Sequence, residues 1–258
     1  MGGWSYKPWR ETFYPPEVKI AGELAYASRK VNAIEINSTF YGLQKPAVYA
    51  KWRAATPENF RFSLKAPRFV VQRKVLATAK DSIRKFIDSG IEELGDKLGP
   101  LMWQLAPTHE FDPEDLAAFL ELLPAKLNGG RLQHALNVRH DSFKDDAFIE
   151  LARDHDVAIV LEDDETHPAI ADVSAGFVYA RLRRSVSKET TGYTKAALAR
   201  WRKRALAWAE GGQPADLKRV ADAPAPVQAR DVYIYFINGA KERAPAAAMA
   251  LLDGLPAS

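Results

Sequence analysis

Short β-type runs and longer helical runs alternate along almost the whole chain, and that alternation restricts the fold more than any single motif. Runs rich in Val, Ile, Phe and Tyr lie at 31–37, 60–65, 101–105, 132–139, 157–162, 177–183 and 231–238. This is the composition of strands. Helical patterns fill the gaps at 21–29, 46–54, 76–91, 145–154, 194–209 and 244–252. Within them Ile83, Phe86, Ile87 and Ile91, and later Leu198, Trp201, Ala205 and Trp208, recur at helical spacing. Asp112-Pro113-Glu114-Asp115 reads as a helix start, with acids where the helix dipole favours them.

Strand and helix in alternation over 258 residues predict a parallel α/β protein. The choice lies between an open doubly wound sheet and a closed barrel. No Gly-x-Gly-x-x-Gly follows a strand and no Gly-x-x-x-x-Gly-Lys-Ser/Thr occurs, so dinucleotide and P-loop readings lose their fingerprint. The length suits a (β/α)8 TIM-like barrel spanning 1–258 as one domain. Seven strand runs leave the first strand truncated or missing, because only Met1-Gly2-Gly3 precede the first loop. The expectation is that upstream coding sequence supplies a strand of about five residues. The segment 211–230, with three prolines among alanines, is expected to be a loop insertion.

Lys and Arg number 36 against 33 Asp and Glu, a formal net charge of +3. Such a balance makes no nucleic-acid binder by itself, so an anion site must come from local placement. The absence of cysteine excludes disulfides, thiolate metal sites and a Cys nucleophile. Apolar runs are short and the N-terminus has neither a basic nor an apolar leader. A cytoplasmic protein without membrane contact is expected, and no protein partner is evident.

Ligands of parallel α/β folds bind at the carboxyl ends of the strands. Each run here ends in polar residues: Glu35 and Asn37; Lys65; Gln104; Asn137, Arg139 and His140; Glu162-Asp163-Asp164; Arg181, Arg183 and Arg184; Asn238. Period two puts Glu35 with Asn37, Asn137 with Arg139, and Arg181 with Arg183 on common faces. The set is rich in cations, and arginine forks hold phosphates and carboxylates bidentately. Glu35, His140 and Asp163 are the candidate catalytic groups. Asn37, Tyr41, Lys65, Gln104, Asn137, Arg139, Arg181, Arg183 and Asn238 are the candidate substrate-binding groups. Glu35 paired with Arg139 or Arg181 as a structural ion pair is the competing reading.

The cofactor is unknown from the residues; Glu35, His140 and Asp163 could supply nitrogen and oxygen ligands to a metal, but no His-x-x-x-His or Cys pair marks a metal site, and none is expected. Trp4, Tyr6, Trp9, Phe13, Tyr14, Phe40 and Tyr41 crowd two loops, as packing or as a stacking wall. The cluster 200–204 reads as a solvated helix face or a phosphate-backbone contact.

Gly3-Trp4-Ser5-Tyr6, Phe13-Tyr14-Pro15, Glu35-Ile36-Asn37-Ser38-Thr39-Phe40-Tyr41, Pro57-Glu58-Asn59-Phe60, Gln104-Leu105, Arg139-His140 and Tyr179-Ala180-Arg181 resemble, in content and order, the DUF72 (YecE-like) family. The resemblance covers nearly the whole chain and implies a (β/α)8 barrel. It implies no particular reaction. The family's Glu-x-Arg-His stands here as Asn137-Val138-Arg139-His140, its Thr-His as Val71-Gln72, and its Arg-x-His-Gly as Arg181-Leu182-Arg183-Arg184. Three readings follow. One is a hydrolase-like enzyme acting on a phosphate-bearing substrate, a nucleotide or nucleic-acid phosphodiester. The second is a non-catalytic anion- or nucleic-acid-binding protein. The third is a sugar or sugar-phosphate enzyme.

Overall fold

The computed structural model describes residues 1–255. Seven parallel strands form one sheet: β1 (Ala33–Ile36), β2 (Arg61–Lys65), β3 (Leu98–Gln104), β6 (His134–Asn137), β7 (Val157–Asp163), β8 (Phe177–Leu182) and β9 (Asp231–Phe236), side by side in that order. A small antiparallel hairpin, β4 (Lys126–Leu127) and β5 (Gly130–Arg131), precedes β6. Helices lie between the strands: α1 (Trp9–Thr12), α2 (Glu23–Ala27), α3 (Ser38–Tyr41), α4 (Pro46–Ala55), α5 (Arg68–Val71), α6 (Lys80–Ile87), α7 (Pro113–Glu121), α8 (Asp146–Asp154), α9 (Lys195–Ala209) and α10 (Ala244–Leu252). The sheet curls into a nearly closed barrel. None of the described helices is long and apolar enough to cross a membrane.

The eighth position is not empty. Met1–Gly3 lies between β1 and β9 and bonds to both. Glu35 N donates to Met1 O at 3.0 Å, Gly3 N to Glu35 O at 2.8 Å, and Gly2 N to Phe236 O at 3.3 Å. Below this stub the two strand edges stay apart. A groove of about 630 Å³ opens there, lined by Ala33, Arg61, Asp231, Tyr233, Leu206 and Leu251 among others. Three residues thus close the carboxyl-end half of the barrel, where the polar side chains stand.

Two core layers follow from period two. Met102, Ala135, Ala158, Val160, Phe177, Tyr179 and Tyr235 fill the barrel interior, where Ser63 Oγ and Tyr235 OH meet at 2.6 Å. The opposite faces of the strands pack under the helices in a larger cluster that includes Ile34, Phe62, Trp103, Leu136 and Ile159. Strands buried on both faces read as continuous apolar runs, as parallel sheets require.

The expected helix 76–91 is three pieces. A 3₁₀ turn, Leu76–Ala79, leads into α6, which stops before Gly90 at φ 102°; a 3₁₀ segment, Ile91–Lys97, follows. A Cβ at Gly90 would lie 2.6 Å from the Pro46 ring, so a left-handed glycine both ends the helix and lets α4 approach. Strand β3 begins at Leu98, earlier than the apolar run suggests, and carries Gly99-Pro100. Its register against β2 slips between Phe62 and Leu64, because a proline without an N–H is accommodated at a bulge. The segment 211–230 holds no helix or strand, and Arg230 ties its ends together by donating to Gly211 O at 2.8 Å.

Gly239, at φ 78°, follows β9 where Ala240 N donates to Ser185 O at 2.9 Å. A Cβ there would run into Ser185 O and lie 2.8 Å from Arg183 O, both backbone atoms that cannot swing aside. Gly239→Ala is therefore expected to cost about 1–3 kcal/mol through backbone strain. That is a fall in melting temperature of roughly 2–10 °C for a chain of this size. Calorimetry showing an unchanged midpoint would contradict this account of the loop.

Candidate functional site

Strand alternation brings Glu35, Lys65, Gln104, Asn137, Glu162 and Arg181 to the carboxyl end of the barrel interior, all buried. Arg181 is the hub. Its Nε donates to Glu35 Oε2 at 3.0 Å and its NH2 to Glu35 Oε1 at 3.2 Å, a bidentate fork. Its NH1 donates to Glu162 Oε1 and, at 3.5 Å, to Gln104 Oε1. Glu35 also accepts from Tyr179 OH at 2.7 Å and from Asn37 Nδ2 at 3.0 Å. Burial pushes the Glu35 carboxyl up, but the neighbouring Arg181, the Tyr179 hydroxyl and Lys65 outweigh it, so the group sits below the ordinary carboxylate range. Burial also opposes the charge on Arg181, and Glu35 with Glu162 more than restores it.

A second tier lies nearer solvent. Arg139 donates through Nε to Asn137 Oδ1 and through NH2 to Glu162 Oε1, both at 3.2 Å. Arg183 NH1 donates to Asp164 Oδ2 at 2.5 Å and to Glu162 Oε2 at 3.4 Å. With its amide oriented to satisfy both neighbours, Asn238 accepts from Arg183 NH2 at 2.9 Å. His167 Nδ1 lies 2.8 Å from Asp164 Oδ2. One ligand atom each of Glu162, Asp164 and His167 falls within 4.8 Å of the others, a spacing that could hold a metal ion. Arg183 NH1 already stands among those atoms as their counter-cation, 3.3 Å from His167 Nδ1.

Lys65 differs from the arginines. Among the described residues its ammonium pairs with no carboxylate and rests 4.0 Å over the Phe40 ring. Burial, then repulsion from Arg181, lowers its pKa to about 8, despite the opposing pull of Glu35. Asn137 Nδ2 is likewise buried without a partner. The mouth thus gathers four cations, Lys65, Arg139, Arg181 and Arg183, against three carboxylates, Glu35, Glu162 and Asp164, and leaves one ammonium and one amide donor free.

Nine of the predicted site residues meet here: Glu35, Asn37, Lys65, Gln104, Asn137, Arg139, Arg181, Arg183 and Asn238. Three stand apart. Asp163 points the other way from Glu162, into an ion pair with Arg184 at 3.2 Å, and burial raises its carboxyl. His140 sits on the rim, bonded to Ser142 Oγ at 2.8 Å and 4.0 Å from Glu110. Tyr41 projects into solvent, 74% exposed, at the end of α3. The sequence reading passed over Glu162, Asp164, His167 and Tyr179. The two-residue step back from Asp164 was the available signal for Glu162. Trp9 and Tyr14 are packed inside the N-terminal loop, with Tyr14 OH donating to Trp4 O at 2.6 Å. On α9, Arg204 pairs with Asp216 at 2.9 Å and Arg202 donates to Ala250 O at 3.0 Å, so both secure neighbouring segments.

The fold and its polar carboxyl end define an α/β barrel with a charged mouth, and comparison narrows the class. The chain belongs to the DUF72 family, described as "Protein of unknown function DUF72", whose family model matches residues 1–258. It is 34% identical over 119 residues to the UPF0759 protein YecE of Escherichia coli strain K12. That match takes in 45% of this chain and 41% of the relative, so the chain spans under half the length of the curated relatives it matches. A DUF72 family protein from Thermotoga maritima MSB8 superposes over 98% of this chain and 96% of its own, with a TM-score of 0.72 at 19% identity. One from Enterococcus faecalis V583 does so over 93% and 96%, with a TM-score of 0.66 at 18% identity. These likenesses show the barrel fold.

Removing Arg181 leaves the buried Glu35 carboxylate without its cationic partner and Glu162 with only the longer contacts to Arg139 and Arg183. Arg181→Ala is expected to cost about 3–5 kcal/mol. Glu35→Gln, which keeps the shape and leaves Arg181 with Glu162, should cost less, on the order of 1–3 kcal/mol. Urea unfolding of both variants gives the order. Losses under 1 kcal/mol for each would sink the view that this ion pair holds the barrel end.

Proposed function

We propose that the barrel mouth binds a phosphate-bearing ligand, with Lys65, Asn137 and Arg139 as its contacts and Arg183 at the rim. The observation that carries this is the unpaired Lys65 ammonium, on the same interior face and at the same end as the buried, unpartnered Asn137 amide. A buried donor without an acceptor costs free energy that an anionic oxygen would recover. Arg181 and Glu35 support the site from beneath. A carboxylate already taking four donors has little capacity left to move a proton, so Glu35 suits positioning better than acid–base work.

Non-catalytic binding is the first reading. A hydrolase-like enzyme is the second, favoured by one fact: with its pKa at about 8, Lys65 can exchange a proton near neutral pH. Turnover of p-nitrophenyl phosphate by the wild type, lost in Lys65→Met, would establish the second over the first.

Calorimetric titration with ribose 5-phosphate tests the site itself. Lys65→Met and Asn137→Asp are each expected to weaken binding, Lys65→Met by roughly ten- to a hundredfold for the loss of one charge-assisted contact. The sign with pH is fixed. Lys65 is charged well below about 8 and neutral well above it, so affinity should be highest near pH 7, decline through about pH 8 and be low at pH 9–10. The phosphate is fully ionised through that interval and does not confound it. Equal affinity in wild type and Lys65→Met would remove the anion site.

A further inference from the structure

The exposed aromatic rim beside Lys65 says more about the ligand than its phosphate. Tyr41 is 74% exposed, yet its ring is not loose: it meets the Phe40 ring edge-on at 5.3 Å and 89°. Phe40 itself is buried and carries the Lys65 ammonium 4.0 Å over its ring. A single aromatic ring therefore separates the free cation from the presented Tyr41 ring. Gly42 follows Tyr41, and a Cβ added there would meet nothing within 4 Å, so the space beside the tyrosine is open. On the neighbouring strand's loop, Phe69 of α5 is 41% exposed. Strands β1 and β2 pair in register, which makes the segments that follow them neighbours on the rim. Past Phe69 the rim opens into a cleft of about 790 Å³ lined by Lys74 and His109 together with Glu110 and Asp112.

A large aromatic face left in water, fixed by a neighbour and one aromatic ring away from an unpaired ammonium, has the chemistry of a base-stacking platform. We propose that the ligand is a nucleotide unit, its phosphate on Lys65, Asn137 and Arg139 and its base stacked on Tyr41. The inference rests on the phosphate reading above. A free nucleotide and a unit of a single strand present the same chemistry; a strand would place its next base toward Phe69.

The test compares ribose 5-phosphate, adenosine 5′-monophosphate and a fluorescein-labelled single-stranded decathymidylate on the full chain, by calorimetry and anisotropy. The variants are Tyr41→Ala, Tyr41→Phe and Phe69→Ala. Tyr41→Ala should weaken the nucleotide by roughly five- to a hundredfold, the range for loss of one base–aromatic stack, and leave ribose 5-phosphate unchanged. Tyr41→Phe should bind as wild type, because the ring face and not the hydroxyl is in use. Tighter binding of decathymidylate than of the mononucleotide, lost in Phe69→Ala, assigns the unit to a strand. Tighter binding of the mononucleotide, indifferent to Phe69→Ala, assigns it to a free nucleotide. If Tyr41→Ala binds the nucleotide as wild type does, or weakens ribose 5-phosphate equally, the stacking proposal is overturned while the phosphate site stands. If the wild type binds none of the three, the phosphate reading falls and takes this one with it.

Discussion

Arg181 sits where the barrel would otherwise be hardest to finish. Its guanidinium is buried on β8 and reaches the carboxylates of β1 and β7 at once. Between β8 and β1 lie only β9 and the three residues of the Met1–Gly3 stub. The fork to Glu35 therefore acts across the weakest part of the ring, where hydrogen bonding between strands is fewest. Burying three ions is costly by desolvation, and only close geometry with every lone pair satisfied makes it tolerable. Tyr179 and Asn37 supply that satisfaction by donating to Glu35 from inside the barrel. Hydrophobic layering below and ionic bonding above thus divide the barrel into a packed lower half and a polar upper half.

Much of this was legible in the sequence, for reasons that differ by element. Strand positions were readable because β-branched and aromatic runs separated by helical patterns leave few alternatives to a parallel sheet. The faces of β1, β6 and β8 were readable because polar residues alternate at their ends: Glu35 with Asn37, Asn137 with Arg139, Arg181 with Arg183. On β7 the ending Glu162-Asp163-Asp164 is polar at every step, and the strand before it is apolar on both faces. Parity cannot be counted there, so Asp163 was chosen although Glu162 faces the interior. His140 was misleading because it follows the last inward residue by one step and caps the next turn, its Nδ1 accepting from Ser142 N at 3.3 Å. Arg181 was read as an anion ligand, with pairing to Glu35 as the competing reading. Sequence cannot decide between them, since the choice depends on which side chains cross the barrel axis.

The helix at 76–91 shows the same limit from another side. Its apolar spacing is continuous through Ile91, but Gly90 needs a left-handed backbone to let Pro46 in. Periodicity reports which residues want burial, and it does not report where another element must approach. The Gly99-Pro100 pair shows the opposite case. It looks like a break, and within a parallel sheet it is a bulge that the strand continues through.

The charge at the mouth follows from one position. The family resemblance implies a Glu at the place where this chain has Asn137. A fourth carboxylate there would balance the four cations, and Arg139 would have a second acid besides Glu162. With Asn, Arg139 is left to share Glu162 with Arg181 and Arg183, which is why repulsion from Arg181 and Arg183 figures among the forces that, after burial, lower its pKa. The amide also brings a donor that nothing in the barrel accepts. The same replacement thus removes a negative charge and adds an unsatisfied N–H at the axis of the barrel. Both changes support the proposal that the mouth takes an anion from outside. The Asn137 position, more than the number of arginines, gives a nearly neutral protein a positively charged mouth.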